Sequence, residues 1–336
     1  MPAMVDDTLP LIDLHRHLDG SVRLETILDL GRQHNLNLPA WDVESLRPFV
    51  QVSEAQPGIM AFIARFEWMT GVMVNADAVR RIAFENVEDL HREGVDYAEL
   101  RFSPLFMAQP HHLDPVEVID AVVDGVRAGS QKTGVQVNLI GILSRTYGVD
   151  ACWQELRAIL ARREAFVAVD LAGDEAHFPG EWFVEHFKAV RDAGLHVTVH
   201  AGEAAGAESV WQALRELGAE RIGHAVHAPE DPALMDYLAT HGIGVEVNLT
   251  SNVQTTTVPS YKDHPVRLFL EHGIRAVLNT DDPGISGIDL PYEYNVAAPA
   301  AGLTPAQIRQ LQSNALEAAF LSPDEKQALR ERRKVS

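Results

Sequence analysis

Cysteine is nearly missing from this chain: Cys152 stands alone among 336 residues. No disulfide can form within the chain, and a cysteine-rich zinc site is ruled out. Cys152 falls at an apparent helix start, Asp150-Ala151-Cys152-Trp153, where a small packed side chain is expected. Long apolar runs are missing too. No stretch approaches the roughly 18 residues of a membrane helix, and Met1–Asp7 has no basic region leading into an apolar one. Basic residues are scarce, 28 lysines and arginines against 48 aspartates and glutamates, for a net charge of −20. Such a surface repels phosphate backbones, so neither nucleic acid nor an anionic membrane is an expected partner. A cytoplasmic protein fits this balance. There is no G-x-G-x-x-G after the first strand-like run, no G-x-x-x-x-G-K-[ST] phosphate loop, and no internal repeat, low-complexity tract or linker.

What the chain does have is apolar residues, 46% of the total, arranged as alternating strand-like and helix-like runs. Strands are expected at Leu11–Leu14, Val95–Phe102, Val135–Leu143, Phe166–Leu171, Leu195–His200, Arg221–His224, Ile243–Asn248 and Ile274–Thr280. Helices are expected at Arg23–Asn35, Ile59–Met73, Ala76–Glu93, Pro115–Lys132, Gly148–Arg162, Glu181–Ala193, Ser209–Leu217, Pro232–His241 and His264–His272, and in a tail of Tyr292–Ala301, Pro305–Leu321 and Pro323–Arg332. Eight strands with helical crossovers predict a (β/α)8 TIM-type barrel, an open doubly wound sheet being the alternative. One domain over residues 1–336 is expected, with terminal helices over about 291–336. The stretch of about 20–94, including a proline-punctuated connector from Leu38 to Pro57, exceeds an ordinary crossover and is a candidate cap over the C-terminal mouth. Its Phe62, Phe66, Trp68 and Met69 sit at helical spacing, which favours core over pocket lining.

Barrel enzymes carry their chemistry where strands stop at the C-terminal face. The first strand runs into His15 and His17, two apart and so on one face. Such pairs also arise by chance; the other strand ends change the odds. Asp170 closes the fourth run with Gly173-Asp174-Glu175 after it, His200-Ala201-Gly202-Glu203 closes the fifth, His224 the sixth and Asp281-Asp282 the eighth. A histidine at a strand end is often only bonded to backbone, and an aspartate after a strand is often a helix cap. So many converging on one rim is hard to explain that way. The remaining histidines, His111, His112, His227 and His241 among them, read as surface or structural.

His15, His17, His200 and Asp281 form a mixed nitrogen and oxygen donor set suited to one zinc ion with room for a water. Zinc brings the pKa of bound water towards about 7. His224 would orient the resulting hydroxide or take its proton. Glu203, where a helix could begin, is a natural general acid if burial keeps it protonated. Asp282, beside the charged Asp281, could likewise stay protonated and donate to a ring nitrogen that only accepts. The chemistry implied is hydrolytic attack on an electrophilic carbon: deamination, amide hydrolysis or ester hydrolysis.

The motifs His15-Arg16-His17-Leu18-Asp19-Gly20, Glu99-Leu100-Arg101-Phe102-Ser103-Pro104, Asp170-Leu171-Ala172-Gly173-Asp174-Glu175, Thr198-Val199-His200-Ala201-Gly202-Glu203, Arg221-Ile222-Gly223-His224, Leu249-Thr250-Ser251-Asn252 and Asn279-Thr280-Asp281-Asp282-Pro283, in this order, resemble the adenosine deaminase family, its bacterial members most closely. The resemblance implies one zinc on His15, His17, His200 and Asp281, Glu203 as proton donor to ring nitrogen 1, and His224 positioning hydroxide at carbon 6. It also implies that the Gly173 N–H meets ring nitrogen 3, Asp282 meets nitrogen 7, and Asp19, with His17 nearby, holds the ribose hydroxyl. The implied activity is conversion of adenosine and 2′-deoxyadenosine to their inosine counterparts with release of ammonia, a purine salvage reaction whose partner is a small nucleoside. The fourth strand ends without the lysine of bridged two-metal relatives, and the H-x-E…P-C-x-x-C deaminase design needs more cysteine than is present. The rivals are a sibling deaminase acting on adenine or an adenosine-like menaquinone precursor, and a metal-binding nucleoside sensor or secreted signalling factor without catalysis. Retention of both Glu203 and His224 speaks against the second. One departure stands out: Ala225 follows His224 where the family usually has glycine, a residue favoured where φ is positive.

Overall fold

All eight expected strands form: β1 (Ile12–His17), β2 (Tyr97–Phe102), β3 (Gln136–Ser144), β4 (Phe166–Ala172), β5 (His196–Ala201), β6 (Arg221–His224), β7 (Gly244–Val247) and β8 (Arg275–Leu278). In the computed structural model, which describes residues 4–52 and 59–335, they run parallel in sequence order. A bridge between Arg16 and Asp281 joins the last strand to the first. There the His17 N–H donates to the Asp281 carbonyl and the Asp281 N–H to the His15 carbonyl, both at 2.8 Å. The fold is therefore a (β/α)8 barrel. A register shift between Asp13 and Arg16 puts a bulge in β1 at the histidines, the kind of irregularity that re-aims side chains beside active sites. Among the described residues, no helix is long and apolar enough to cross a membrane.

Strands covered on both faces should read as continuous apolar runs. These are interrupted by Asp13, His15, Glu99, Arg101, Thr198, His200 and Glu246, all buried. Arg101 on β2 donates to Asp170 on β4 and to Glu246 on β7, each at 2.9 Å. Neither strand neighbours β2, so these side chains meet inside the barrel. The interior is ionic where most such barrels stack branched apolar residues. Removing one member of a buried ion pair costs about 3–5 kcal/mol, so this network is intolerant of single changes.

Outside the strands, Ala76–Arg92 packs against Pro115–Thr133. Asn75 and Asp114 cap these helices by accepting the N–H of Ala78 and Val116, and Pro115 supplies the preset φ of a first helical turn. Pro305–Ala318 packs along β8 and β1. At its end Ala318 O accepts from Arg221, and just beyond it Phe320 N–H donates to Glu99, at the N-terminal end of the barrel. The terminal helices thus cover the seam and the end remote from the catalytic face.

Several local expectations need correction. The connector after Leu38 contains a helix, Val43–Val50, started by the Asp42 cap and containing Pro48; residues 53–57 of that connector lie outside the described residues. The single helix expected over Ile59–Met73 is broken into Ile59–Ile63, a 3-10 turn at Ala64–Phe66, and Glu67–Thr70. Short helices Pro104–Ala108 and Leu249–Gln254 follow β2 and β7, stretches to which the sequence pattern assigned no element. Cys152 is fully buried in Val149–Leu160, as a packed side chain should be.

Candidate active site

β1, β5 and the turn after β8 bring His15, His17, His200 and Asp281 together, with ligand atoms all within 4.8 Å of one another. Asp281 Oδ1 lies 3.1 Å from His15 Nε2 and 3.3 Å from His17 Nε2. The far nitrogens are already committed. His15 Nδ1 contacts Glu246 Oε2 at 2.7 Å, and His200 Nδ1 contacts Asp170 Oδ2 at 2.9 Å. A carboxylate on Nδ1 fixes the ring and directs the Nε2 lone pair inward, the outer shell of a metal-bound histidine. Arg101 ties both carboxylates together. Burial alone would raise the Glu246 carboxyl; Arg101, Arg221 and His15 instead hold it well below the usual range. Buried His15 Nε2 has no hydrogen-bond partner, which is unusual for a polar atom in a protein interior. Three imidazoles and a carboxylate closing on that orphaned nitrogen fit a divalent cation, and the N3O donor set suits zinc.

His17, His200 and Asp281 of the cluster line a cleft, a concave setting of the kind that receives small molecules. Asp19, Gly173, Glu203, His224 and Asp282 line it as well, so of the site residues expected from the sequence only His15, fully buried behind the others, does not border the cavity. Two more orphaned buried atoms face it, Asp19 Oδ1 and Asp282 Oδ1. Asp19 Oδ2 accepts the Ser103 N–H at 3.2 Å, and burial pushes its carboxyl up to about 7. Burial, then the charges of Asp281, Asp19 and Glu203, lifts Asp282 well above the carboxylate range. Gly20 must be glycine, because a Cβ there would sit 1.8 Å from Asp282 Oδ1. Phe62 and Phe66 are buried in the main hydrophobic cluster, as the core reading expected, and they also border the cleft. Met69 is core and Trp68 packs on Phe49, in agreement with that reading.

Glu203 is not at a helix start; the helix begins at Ala207. The carboxylate of Glu175 determines its place instead. Glu175 Oε1 accepts the Gly202 N–H at 2.6 Å and the Ser209 hydroxyl at 2.5 Å, while Oε2 accepts the N–H groups of Glu203, Ala204 and Ala205 at 3.0, 2.7 and 3.1 Å. From the other side Arg145 donates to the carbonyls of Leu171 and His200 at 3.2 and 2.8 Å. Together they lock the turn after β4 to the turn after β5. Burial, then the charges of Asp281 and Glu175, holds the Glu203 carboxyl well above its ordinary range. His224 sits with Nε2 3.8 Å from Asp281 Oδ2, and its Nδ1 meets Asn252 Nδ2 at 2.9 Å. His224, Ala225 and Asp281 have φ of +66°, +52° and +64°. Such left-handed non-glycine residues cost energy and cluster at functional sites.

Asp170 does not face the cleft as its place at a strand end suggested; it is consumed by His200 and Arg101. Sequence reasoning missed Glu246, Arg101, Glu175 and Asn252 as supports. Single charges inside apolar strands, Glu99 and Arg101 in β2 and Glu246 in β7, were the available signal.

A cluster of cation ligands at the C-terminal rim of a barrel, with a carboxyl whose pKa burial raises and an imidazole beside it, is the layout of a single-metal hydrolase. The chain matches the family profile described as adenosine deaminase over residues 10–334. It is 60% identical over 332 residues to the adenosine deaminase of Edwardsiella ictaluri, covering 99% of this chain and 100% of that one. The crystal structure of an adenine deaminase from Arthrobacter aurescens superposes with a TM-score of 0.90 at 23% identity, covering 97% of this chain and 98% of that one. The apo N6-methyl-AMP deaminase of Arabidopsis thaliana superposes with a TM-score of 0.82 at 26% identity, covering 98% and 97%. The chain belongs to the adenosine deaminase family.

Proposed function

We propose that this protein is a zinc-dependent adenosine deaminase, hydrolysing adenosine and 2′-deoxyadenosine to inosine and 2′-deoxyinosine with release of ammonia, in the cytoplasm. The observation that carries this reading is the Glu203 carboxyl, kept protonated by burial and neighbouring charges in a cleft shared with the four-ligand cluster. A cation on His15, His17, His200 and Asp281 supplies Lewis acidity that brings the pKa of water towards about 7.

The chain's own residues do the rest. Glu203 gives its proton to ring nitrogen 1, so that carbon 6 becomes electrophilic. The water oxygen forms its bond to carbon 6 while its proton passes to a group beside it, either His224 or Asp281. The amino group takes up a proton, the bond from carbon 6 to nitrogen breaks, and ammonia leaves. One water proton ends on ammonia and the other restores Glu203, while nitrogen 1 keeps the proton it received. Asp282, protonated, donates to nitrogen 7, and the Gly173 N–H donates to nitrogen 3. Asp19 Oδ1, which has no protein partner, accepts from a ribose hydroxyl, with His17 beside it at 3.8 Å.

Asp19 favours a nucleoside over free adenine. Among the described residues, the cleft lining contains no lysine or arginine to receive a phosphate, which favours a nucleoside over a nucleotide. The test is metal analysis of the purified protein with an ultraviolet assay on adenosine, 2′-deoxyadenosine, adenine and AMP. Adenosine is expected to turn over fastest, and adenine or AMP leading would overturn the substrate assignment. Glu203→Ala should abolish turnover while metal stays bound; unchanged turnover would remove Glu203 as the proton donor.

A further inference from the structure

His15 and His200 each meet a carboxylate through Nδ1, which fixes their tautomer. His224 does not. Glu203 Oε1 lies 3.6 Å from its Nδ1, beyond hydrogen-bond reach, and the close partner is the Asn252 amide at 2.9 Å. An amide can present either an oxygen or an N–H, so this contact alone leaves the ring's polarity undecided. What lies behind Asn252 decides it. Asn252 Oδ1 is 3.2 Å from His264 Nε2, and His264 Nδ1 accepts the backbone N–H of Val266 at 3.1 Å.

A backbone N–H can only donate, so His264 Nδ1 bears no proton. Burial holds the His264 pKa down to about 3, so the ring is neutral and its single proton is on Nε2. That proton goes to Asn252 Oδ1. The amide NH2 is then the group turned to His224, and its N–H donates to Nδ1. A proton on His224 Nδ1 would set two donors against each other. The Asn248 amide nitrogen lies 3.4 Å from both ring nitrogens and so favours neither tautomer. The backbone of Asn252 is pinned as well, its carbonyl accepting the Val258 N–H at 3.1 Å and the Thr257 hydroxyl at 3.0 Å.

We propose that Asn252 and His264 are positioning residues which, starting from the Val266 N–H, impose one hydrogen-bond polarity on His224, so that it faces the attacking water as an Nε2–H donor. This deepens the deaminase reading and rests on it only for the identity of the water. The consequence is a division of labour. The Nε2–H bond of His224 stays intact and orients the water oxygen. When the water O–H bond breaks, its proton moves to Asp281 Oδ2, and the electron pair left on oxygen forms the bond to carbon 6.

The direct test is the ring 15N spectrum of histidine-labelled, metal-loaded protein, in which protonated and bare nitrogens resonate in separate regions, assigned with His264→Gln and His224→Asn variants. Bare Nδ1 and protonated Nε2 are expected on both rings, and an Nδ1–H on either one overturns the proposal. This readout needs no turnover, so it stands apart from failure of the substrate assignment. The second test is Asn252→Asp, almost isosteric but able only to accept at that position. It should lower kcat by at least about 10²-fold, the scale of general acid–base effects, with KM and bound metal unchanged. His264→Gln, whose amide can still donate to Asn252 and accept from Val266, should lose less kcat than His264→Leu. Wild-type kcat in Asn252→Asp, or equal losses in the two His264 variants, overturns the proposal. If Asn252→Asp does not fold, the spectrum decides alone.

Discussion

Glu175→Gln keeps the shape of the side chain and removes the charge that grips the turn bearing Glu203. The carboxylate accepts five hydrogen bonds, two on Oε1 and three on Oε2. In glutamine one oxygen becomes an NH2. Placed at the Oε2 position, it would face three backbone N–H groups. Placed at the Oε1 position, it faces only the Gly202 N–H, since the Ser209 hydroxyl can turn and accept. The amide therefore takes the second orientation and leaves one buried N–H unpaired, at about 1–3 kcal/mol, while the three bonds to the remaining oxygen lose their charge assistance. The total is about 3–5 kcal/mol of stability, most of it localised at residues 202–205. Displacement of Glu203 by even 1 Å lowers kcat by about 10²-fold, and the loss of a nearby negative charge lets its proton go at lower pH. Denaturant unfolding and steady-state deamination, with metal content measured in parallel, test this. The expected result is lower stability and kcat with metal retained; a variant matching the wild type in both would refute the clamp.

Two further predictions concern strain and buried acids. Ala225→Gly relieves a φ of +52°, a gain of about 1–2 kcal/mol. It also loses a buried methyl worth about 0.8 kcal/mol and loosens the unfolded chain by about 0.4–1 kcal/mol. Stability should therefore stay within about 1 kcal/mol of wild type with turnover preserved, and a rise in kcat on the order of tenfold or more would show that the methyl holds His224 out of place. Burial lifts Glu155 from 4.5 to about 7 and Glu293 from 4.5 to about 8. Between those values the folded protein holds protons that the unfolded chain has released, so stability is full below 4.5 and falls as pH rises through 7–8. The slope is up to about 1.4 kcal/mol per pH unit for each group. Unfolding followed across that window should become flatter in Glu155→Gln and in Glu293→Gln, and a flat wild-type profile would contradict both assignments.

The metal-capable cluster and His224 beside it were legible because strand geometry is a strict rule. Residues two apart share a face, and catalytic groups in barrels gather where strands end. His15, His17, His200, His224 and Asp281 all obey it. What escaped was support that depends on contacts across the barrel. Glu246 sits in a four-residue strand and meets His15 from 231 positions away, a relation no local pattern carries. Glu175 looked like one more acid after β4, because its work is done on backbone N–H groups that a sequence does not display. The break at Ala64–Phe66 in the expected helix Ile59–Met73 was hidden for another reason. Its apolar spacing is helical throughout, and Phe62, Phe66 and Met69 are all buried in the core, but the two phenylalanines also border the cleft. One periodicity served two destinations.

Barrel closure has a consequence for how the molecule is made. The backbone pairing that ties β8 to β1 is formed by His15, His17 and Asp281, the same residues that carry three of the four candidate ligand groups. During synthesis the imidazoles of His15 and His17 leave the ribosome long before the carboxylate of Asp281. A ribosome-bound fragment lacking that residue has neither a sealed cylinder nor a complete coordination set. The four-group cluster therefore forms only after Asp281 has emerged, and the same contacts both seal the barrel between β8 and β1 and set the spacing of that cluster.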